Sequence, residues 1–275
     1  MQKINYPELF KNFVGREDDL RRVMRYYIYT PMFYRSNLFT HSKRVLWLLQ
    51  AILPLAEEIF GSRFDSTKAQ LLAVVHDDPE IIMGDIQAGH KRKMNTEQLA
   101  EVQRLERSAI AAMVERYPYS ILGYRYGDLM TEGQELKTLE AKLLKYIDRF
   151  DAFGEALHEI HAGNRAFITN SIHPEFGVID TPVAFYQMYL PSFAKNNSEF
   201  AELFTLHHPL FNIEIFSAAE NVVLGGRPHT KKTILEKGVY QPYETWKAII
   251  LANNDEEEMK NLFVQKEFST ALGWP

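Results

Sequence analysis

The residues most able to do chemistry stand at the end of an apolar segment. The run 71–75 (LLAVV) leads directly into His76, Asp77 and Asp78. Ionisable groups in apolar surroundings are costly unless they pair or coordinate a metal. A histidine followed directly by an aspartate can chelate one ion, because neighbouring helical positions converge through side chains of different length. The dipeptide alone equally fits an ordinary helix end, so a metal site is indicated only if other candidate ligands accompany it.

Two further residues offer metal-type ligands. His41 opens a predicted helix, and Asp148 follows the apolar-rich segment 143–147 of another. A carboxylate buried there without a partner would be penalised, although a position on a polar stripe beside Arg149 explains Asp148 equally well. The chain contains no cysteine, so a metal site must use nitrogen and oxygen ligands. Two imidazoles and two carboxylates suit one divalent ion, which could be Mn, Fe, Co, Zn or Mg.

Helices must position these residues, because apolar side chains recur mainly at helical spacing and no segment shows convincing strand alternation. The predicted fold class is therefore all-α. Pro31 limits the first predicted helix, Gly61 stops the second, and Pro79 ends or kinks the third. Asn95 and Gln98 stand at the spacing of a capping box. The predicted helices cover about residues 20–27, 42–60, 66–78, 95–117, 135–161 and 181–190.

The remaining segments predict the domain organisation. Residues 118–133, rich in Gly and Tyr, are predicted to form a loop. After Pro191 the helical pattern breaks into short amphipathic pieces. We therefore expect one domain over residues 1–194 and a C-terminal, mostly helical appendage over 195–275.

Composition excludes several classes of protein. With 31 basic and 36 acidic residues the net charge is -5, which does not favour a nucleic-acid partner. The sequence lacks a run of about 20 uninterrupted apolar residues, as a spanning helix would need. Residues 1–9 lack the basic and apolar regions of a secretory signal. These features, with the absence of cysteine, predict a cytoplasmic protein without membrane contacts.

The order of these motifs resembles the HD-domain metal-dependent phosphohydrolases, and most closely their bacterial 5'-deoxynucleotidase branch. That family combines a histidine, a His-Asp pair and a later aspartate. The resemblance extends from about Leu20 to Ala194. It rests on His41 and Ser42, on His76, Asp77, Glu80, Gly84, Asp85 and Lys91, on Lys145, Asp148, Glu159, Ala162, Gly163, Asn164 and Phe167, and on Tyr189, Leu190, Pro191, Ser192 and Phe193.

This resemblance implies an HD-domain helical bundle, a nucleotide substrate and a homodimer. It implies roles for nine residues: His41, His76, Asp77 and Asp148 as metal ligands, Glu80 and Asp85 as catalytic acid and base, and Arg25, Tyr26 and Lys91 as substrate contacts. Read without the family, Glu80 suits the first turn of a helix, Asp85 a turn after glycine, and Lys91 a solvated loop.

Three departures from the family pattern concern the substrate pocket. Thr40 replaces the usual glutamate before the first histidine, Pro79 precedes Glu80, and the prolines expected between Asp85 and Lys91 are missing. The predicted function is a 5'-nucleotidase acting on (deoxy)ribonucleoside 5'-monophosphates. The alternatives are a nucleoside triphosphate or cyclic-nucleotide hydrolase on the same metal site, and a non-catalytic metal-binding module.

Overall fold

The computed structural model describes residues 4–26, 32–86, 88–162, 164, 167, 171–173, 177–179, 182–206, 208–211 and 240–253. Helices dominate this part of the chain, which confirms the all-α prediction. The helices are α1 (Tyr6–Leu9), α2 (Arg16–Arg22), α3 (Leu38–Phe60), α4 (Ser66–Val75), α5 (Glu80–Met83), α6 (Ala88–Lys91), α7 (Thr96–Arg116), α8 (Tyr126–Glu135), α9 (Leu139–His161), α10 (Pro182–Asn196), α11 (Ala201–Thr205) and α12 (Tyr240–Asn253).

Two short hairpins and two 3-10 turns complete the described elements. Strands β1 (Ser120–Ile121) and β2 (Tyr124–Arg125) pair antiparallel, as do β3 (Ser171–His173) and β4 (Gly177–Ile179). The 3-10 turns are Gly61–Arg63 and Ser198–Phe200. Hairpins this short are local connections and leave the helical architecture unchanged.

The chain divides into two compact units. The first comprises Met1–Tyr27 and Arg35–Ile147, and the second comprises Ile28–Tyr34 and Asp148–Pro275. Helix α10 (Pro182–Asn196) runs through the predicted domain boundary at residue 194. That boundary stays a prediction.

Helix α3 is the core helix of the first unit and packs along α4. Its start is a capping box: the Asn37 side chain accepts a hydrogen bond from the Thr40 amide, and the Thr40 hydroxyl oxygen accepts one from the Asn37 amide. Gly61 ends the helix at a φ of +55°, where a side chain would be strained. The predicted helix was therefore confirmed, with a start four residues earlier than expected.

Segment Leu38–Arg63 is long and apolar enough to cross a membrane by length and composition alone, and it is the one such segment among the described residues. Half of its most apolar window is buried inside the protein. A core helix gives the same signature, since both environments select apolar side chains.

Two predicted elements were wrong. Helix α2 ends at Arg22, whereas the predicted helix continued to residue 27. Met24 instead pairs with Asn37 in an antiparallel bridge, and the Arg25 amide donates to the Ser36 carbonyl. These bonds satisfy the backbone outside a helix, so tertiary pairing outweighs helical periodicity there.

The predicted loop 118–133 is also wrong, because it contains the hairpin β1–β2 and most of helix α8. Three buried side chains of α8, Tyr126, Leu129 and Met130, follow helical spacing. This pattern was present in the sequence, hidden among the glycines and tyrosines that suggested a loop.

Helix α12 packs against α9 in the second unit. The Trp246 indole donates a 2.8 Å hydrogen bond to Asp151, and Tyr243 lies 2.9 Å from His158 Nδ1. A side chain at Gly154 would meet Trp246 within 2.2 Å, so the glycine makes this close packing possible. Part of the predicted C-terminal appendage thus forms a helix with one buried face, which carries Tyr243, Trp246 and Ile250.

The two capping boxes generate a stability prediction. Asn95→Ala removes the acceptor for the Gln98 amide at the start of α7, and we expect a loss of about 1 kcal/mol in the free energy of unfolding. Asn37→Ala removes the equivalent bond in buried surroundings and should cost at least as much. Urea denaturation measures both losses. Ser108→Ala within α7 is the control, and an unchanged midpoint for Asn95→Ala would contradict the assigned caps.

Candidate metal centre and active site

Two buried histidines approach each other from α3 and from the end of α4. His41 lies in the first turn of α3 and is fully buried, and His76 is the residue that caps the C-terminus of α4. His76 Nδ1 lies 3.0 Å from the Ala73 carbonyl oxygen. Because a carbonyl can only accept, Nδ1 carries a proton, and the neutral form of the ring has its lone pair on Nε2.

Asp77 lies where both imidazoles meet. His41 Nε2 is 3.3 Å from Asp77 Oδ2, and His76 Nε2 is 3.2 Å from Asp77 Oδ1. Each carboxylate oxygen therefore faces one ring nitrogen. The aspartate side chain is 14% exposed, so this polar group is largely screened from water.

Asp148 on α9 is buried and offers a carboxylate, a common metal ligand. Within the first unit, the structure brings the predicted ligands His41 and His76 to the carboxylate of a third, Asp77. Buried nitrogen and oxygen donors at this separation fit a divalent ion.

Two carboxyl groups follow the His-Asp pair. Glu80 is the first residue of α5, and its amide donates to the Asp77 carbonyl over 2.9 Å. Asp85 follows Gly84, whose φ of +79° allows the turn. Burial, followed by the charges of Asp77 and Asp85, raises the pKa of Glu80 well above its ordinary range. Glu80 therefore keeps its proton to a higher pH than an ordinary glutamate does.

The pKa of Asp85 is also raised, chiefly by burial, while the nearby Arg25 charge opposes the shift. Asp85 accepts a hydrogen bond from the Tyr26 backbone amide. Tyr26 has a φ of +54°, a strained conformation for a residue with a side chain. Such strain persists where the surroundings impose it, often at functional sites.

Arg25 places a positive charge beside the histidine cluster. Its Nη1 lies 3.9 Å from Asp77 Oδ2, and its guanidinium lies 5.5 Å from the centre of the Tyr26 ring. The side chain is largely buried. The structure therefore places this predicted substrate contact next to Asp77.

Lys91 has a different immediate partner. Its ammonium group lies 2.7 Å from Glu106 on α7. The solvated-loop interpretation is wrong for this residue, because Lys91 closes α6 and forms a partly buried ion pair. Its role as a substrate contact stays a prediction.

The sequence did not predict a buried hydrogen-bond network at Asp78, the residue that follows His76 and Asp77. Asp78 accepts two hydrogen bonds from Arg16, of 2.7 and 2.6 Å, and a third from the Tyr126 hydroxyl. All three side chains are almost inaccessible to water. The one available signal was a second aspartate after an apolar run, with no indication of its distant partners.

Solved structures define the class of the fold. The chain is similar to an HD-domain phosphohydrolase from Listeria innocua with a TM-score of 0.53 and 18% identity, covering 89% of this chain and 99% of that one. It also resembles a conserved hypothetical protein from Pyrococcus furiosus, with a TM-score of 0.50 and 19% identity, over 70% of this chain and 95% of the other. The fold is that of the HD-domain phosphohydrolases, which confirms the predicted helical bundle.

Residues 12–193 match the family described as 5'-deoxynucleotidase YfbR-like, and the chain belongs to this family. A 5'-deoxynucleotidase of Erwinia tasmaniensis is 25% identical over 171 residues, covering 61% of this chain and 85% of the relative. One from Shewanella oneidensis is 28% identical over 176 residues, covering 62% and 89%. The family predicted from the motif order is confirmed, and helix α12 lies outside the matched range.

The raised pKa of Glu80 predicts a pH-dependent contribution to stability. A carboxyl group that holds its proton more tightly in the folded state stabilises the protein at low pH. That contribution is lost as the pH rises from the ordinary glutamate pKa, about 4.3, through the raised value. In metal-free protein, Glu80→Gln should therefore become progressively more stable relative to the parent as the pH rises through this window.

Urea denaturation in the presence of a chelator, repeated across this pH range, measures the difference. Glu115→Gln, at an exposed position on α7, is the matched control. The same pH trend in both variants would show that the surroundings of Glu80 are not its cause.

Proposed function

We propose that the chain is a metal-dependent 5'-nucleotidase that hydrolyses (deoxy)ribonucleoside 5'-monophosphates to nucleoside and phosphate. The observation that carries this proposal is the approach of His41 Nε2 and His76 Nε2 to the two carboxylate oxygens of Asp77. The family and the names of its relatives supply the substrate class. Fold alone would not, because one fold serves many reactions.

His41, His76, Asp77 and Asp148 would hold one divalent ion. The bond from His76 Nδ1 to the Ala73 carbonyl orients the ring so that Nε2 faces the side of Asp77, where the proposed ion would bind, as supporting hydrogen bonds do for metal-bound histidines. When bound, such an ion lowers the pKa of a water ligand and polarises the phosphoryl group. Atomic spectroscopy of the purified protein identifies which of Mn, Fe, Co, Zn and Mg is bound.

Glu80 and Asp85 are the proposed acid and base. Burial and the neighbouring carboxylates favour protonated Glu80, which suits it to give a proton to the leaving 5' oxygen. Asp85 is closer to an ordinary carboxylate because Arg25 and the Tyr26 amide stabilise its charge. It would accept a proton from the attacking water or orient that water.

Arg25 and Tyr26 are the proposed contacts to phosphate and sugar. The guanidinium beside Asp77 would attract a phosphate dianion to the metal ligands. The Tyr26 amide donates a hydrogen bond to Asp85, so the backbone next to Arg25 is tied to this carboxyl group. Lys91, whose charge opposes the raised pKa of Glu80, would add positive charge beside the proposed acid and base.

A homodimer, a cytoplasmic location and the absence of nucleic-acid and membrane partners also belong to this proposal. They derive from the family resemblance and from composition. Light scattering after size-exclusion chromatography tests the dimer, and a monomer at micromolar concentration would contradict it.

A phosphate-release screen tests the reaction. The protein, supplied with Mn or Co, should release phosphate from at least one nucleoside 5'-monophosphate, and a chelator should stop the release because the site needs its ion. No turnover of any monophosphate would remove the proposal. Triphosphate or pyrophosphate among the products would support the alternative hydrolases, while metal binding without turnover of any nucleotide would support the non-catalytic module.

Two substitutions separate metal binding from proton transfer. Asp77→Ala should abolish turnover and lower the metal content, because it removes a proposed ligand. Glu80→Gln should retain the metal and reduce kcat by about 100- to 10,000-fold, the usual contribution of a general acid. Metal content by atomic spectroscopy and kcat by phosphate release measure the two effects. Full activity in either variant would contradict the role assigned to that residue.

A further inference from the structure

We propose that Arg16, Asp78 and Tyr126 form an anchor that positions the metal ligands and Glu80. This inference rests on the proposed function, since it assigns a role to residues that touch neither metal nor substrate. Asp78 lies within the turn 76–80, which connects α4 to α5 and also carries His76, Asp77 and Glu80, and Arg16 and Tyr126 contact that turn through Asp78. Arg16, Asp78 and Tyr126 are therefore positioning residues.

The anchor joins α2 to the end of α4 at two points. The Arg16 guanidinium donates to both carboxylate oxygens of Asp78, over 2.7 and 2.6 Å. The same guanidinium donates to the carbonyl of Val74 in the last turn of α4. One rigid, planar group thus contacts both the helix and the turn that follows it, and this restricts rotation of the turn about the helix end.

Arg16 is itself held by several contacts. Its guanidinium lies 3.9 Å from the centre of the Phe10 ring, and its Nη1 donates a 2.8 Å hydrogen bond to the Tyr6 hydroxyl. Tyr126 donates to Asp78 from α8. The aspartate is therefore restrained from two helices, and its position is not that of a flexible surface side chain.

Backbone bonds transmit this restraint to the site. Asp78 directly follows Asp77, and its amide donates to the Val75 carbonyl over 3.1 Å. Within the same turn the Glu80 amide donates to Asp77, and the Ile81 amide donates to Asp78. A shift of Asp78 would therefore move the neighbouring ligand and the start of α5 together.

Positioning explains this network better than stability alone. A buried ion pair often contributes little net stability, because desolvation of both charges offsets their attraction. Groups that orient metal ligands, in contrast, typically change metal affinity or activity by about 10- to 100-fold when altered. Here the ion pair adjoins a proposed ligand in sequence, where its geometric effect is greatest.

The test compares two variants. A triple variant replaces the whole anchor by uncharged side chains of similar volume, and a single variant removes only the charge of Asp78. Arg16→Met, Asp78→Leu and Tyr126→Phe together remove every charge and hydroxyl group of the anchor, a type of replacement that buried ion pairs can tolerate. Asp78→Asn keeps the shape and loses the carboxylate. Arg116→Gln is the matched control, because it removes a different ion pair of α2, with Asp19, that does not contact the turn.

Calorimetric titration of metal-free protein with Mn is the first measurement, and kcat and KM for the monophosphate found in the screen are the second. In the triple variant we expect metal affinity to fall at least 10-fold and kcat to fall with it, at a melting temperature near that of the parent. Metal affinity and kcat should remain unchanged in Arg116→Gln. KM should change less than kcat in the triple variant, because the proposed phosphate contacts are not part of the anchor.

Parental metal affinity and kcat in a folded triple variant would overturn the inference. If the triple variant does not fold, Asp78→Asn decides: folded protein with parental metal affinity overturns the inference, and folded protein with weakened affinity supports it. Absence of metal binding or hydrolysis in the parent would instead refute the proposed function, so the two failures are distinguishable.

Discussion

The placement of Asp77 between two buried imidazoles is the constraint on which the site depends. His41 and His76 reach the same carboxylate from α3 and α4, the helices that form the core of the first unit. Polar groups in such a core must be satisfied by partners. The core therefore has to be built around the site, and buried apolar residues of both helices, such as Leu38, Val45 and Val75, pack nearby in the chain.

Local structure supplies much of that precision. The capping box of Asn37 and Thr40 determines where α3 begins, and so which turn presents His41. The Ala73 carbonyl selects the tautomer of His76. Thr40 replaces the family glutamate at this position, yet it serves as the reciprocal partner of the cap. The departure from the family pattern has thus a structural role in this chain.

Periodicity and caps predicted the long helices well, because α3, α7 and α9 carry apolar spacing and clear end signals. The order of His41, His76 and Asp77 predicted three residues that the structure brings together within the first unit. Contacts between distant segments could not be predicted in the same way. Met24 leaves the helical pattern to pair with Asn37, and Lys91 pairs with Glu106 on another helix.

The same limit applies to Asp78, because the sequence does not indicate which residues pair with it. Its partner Arg16 lies 62 positions earlier in the chain, and nothing in either local pattern connects them. An aspartate that is fully buried beside a proposed ligand conflicts with apolar packing unless another charge accompanies it. Since a neutral, well-packed replacement could satisfy the core equally well, the presence of a directional Arg–Asp pair at this turn is most simply explained by the geometry it imposes on Asp77.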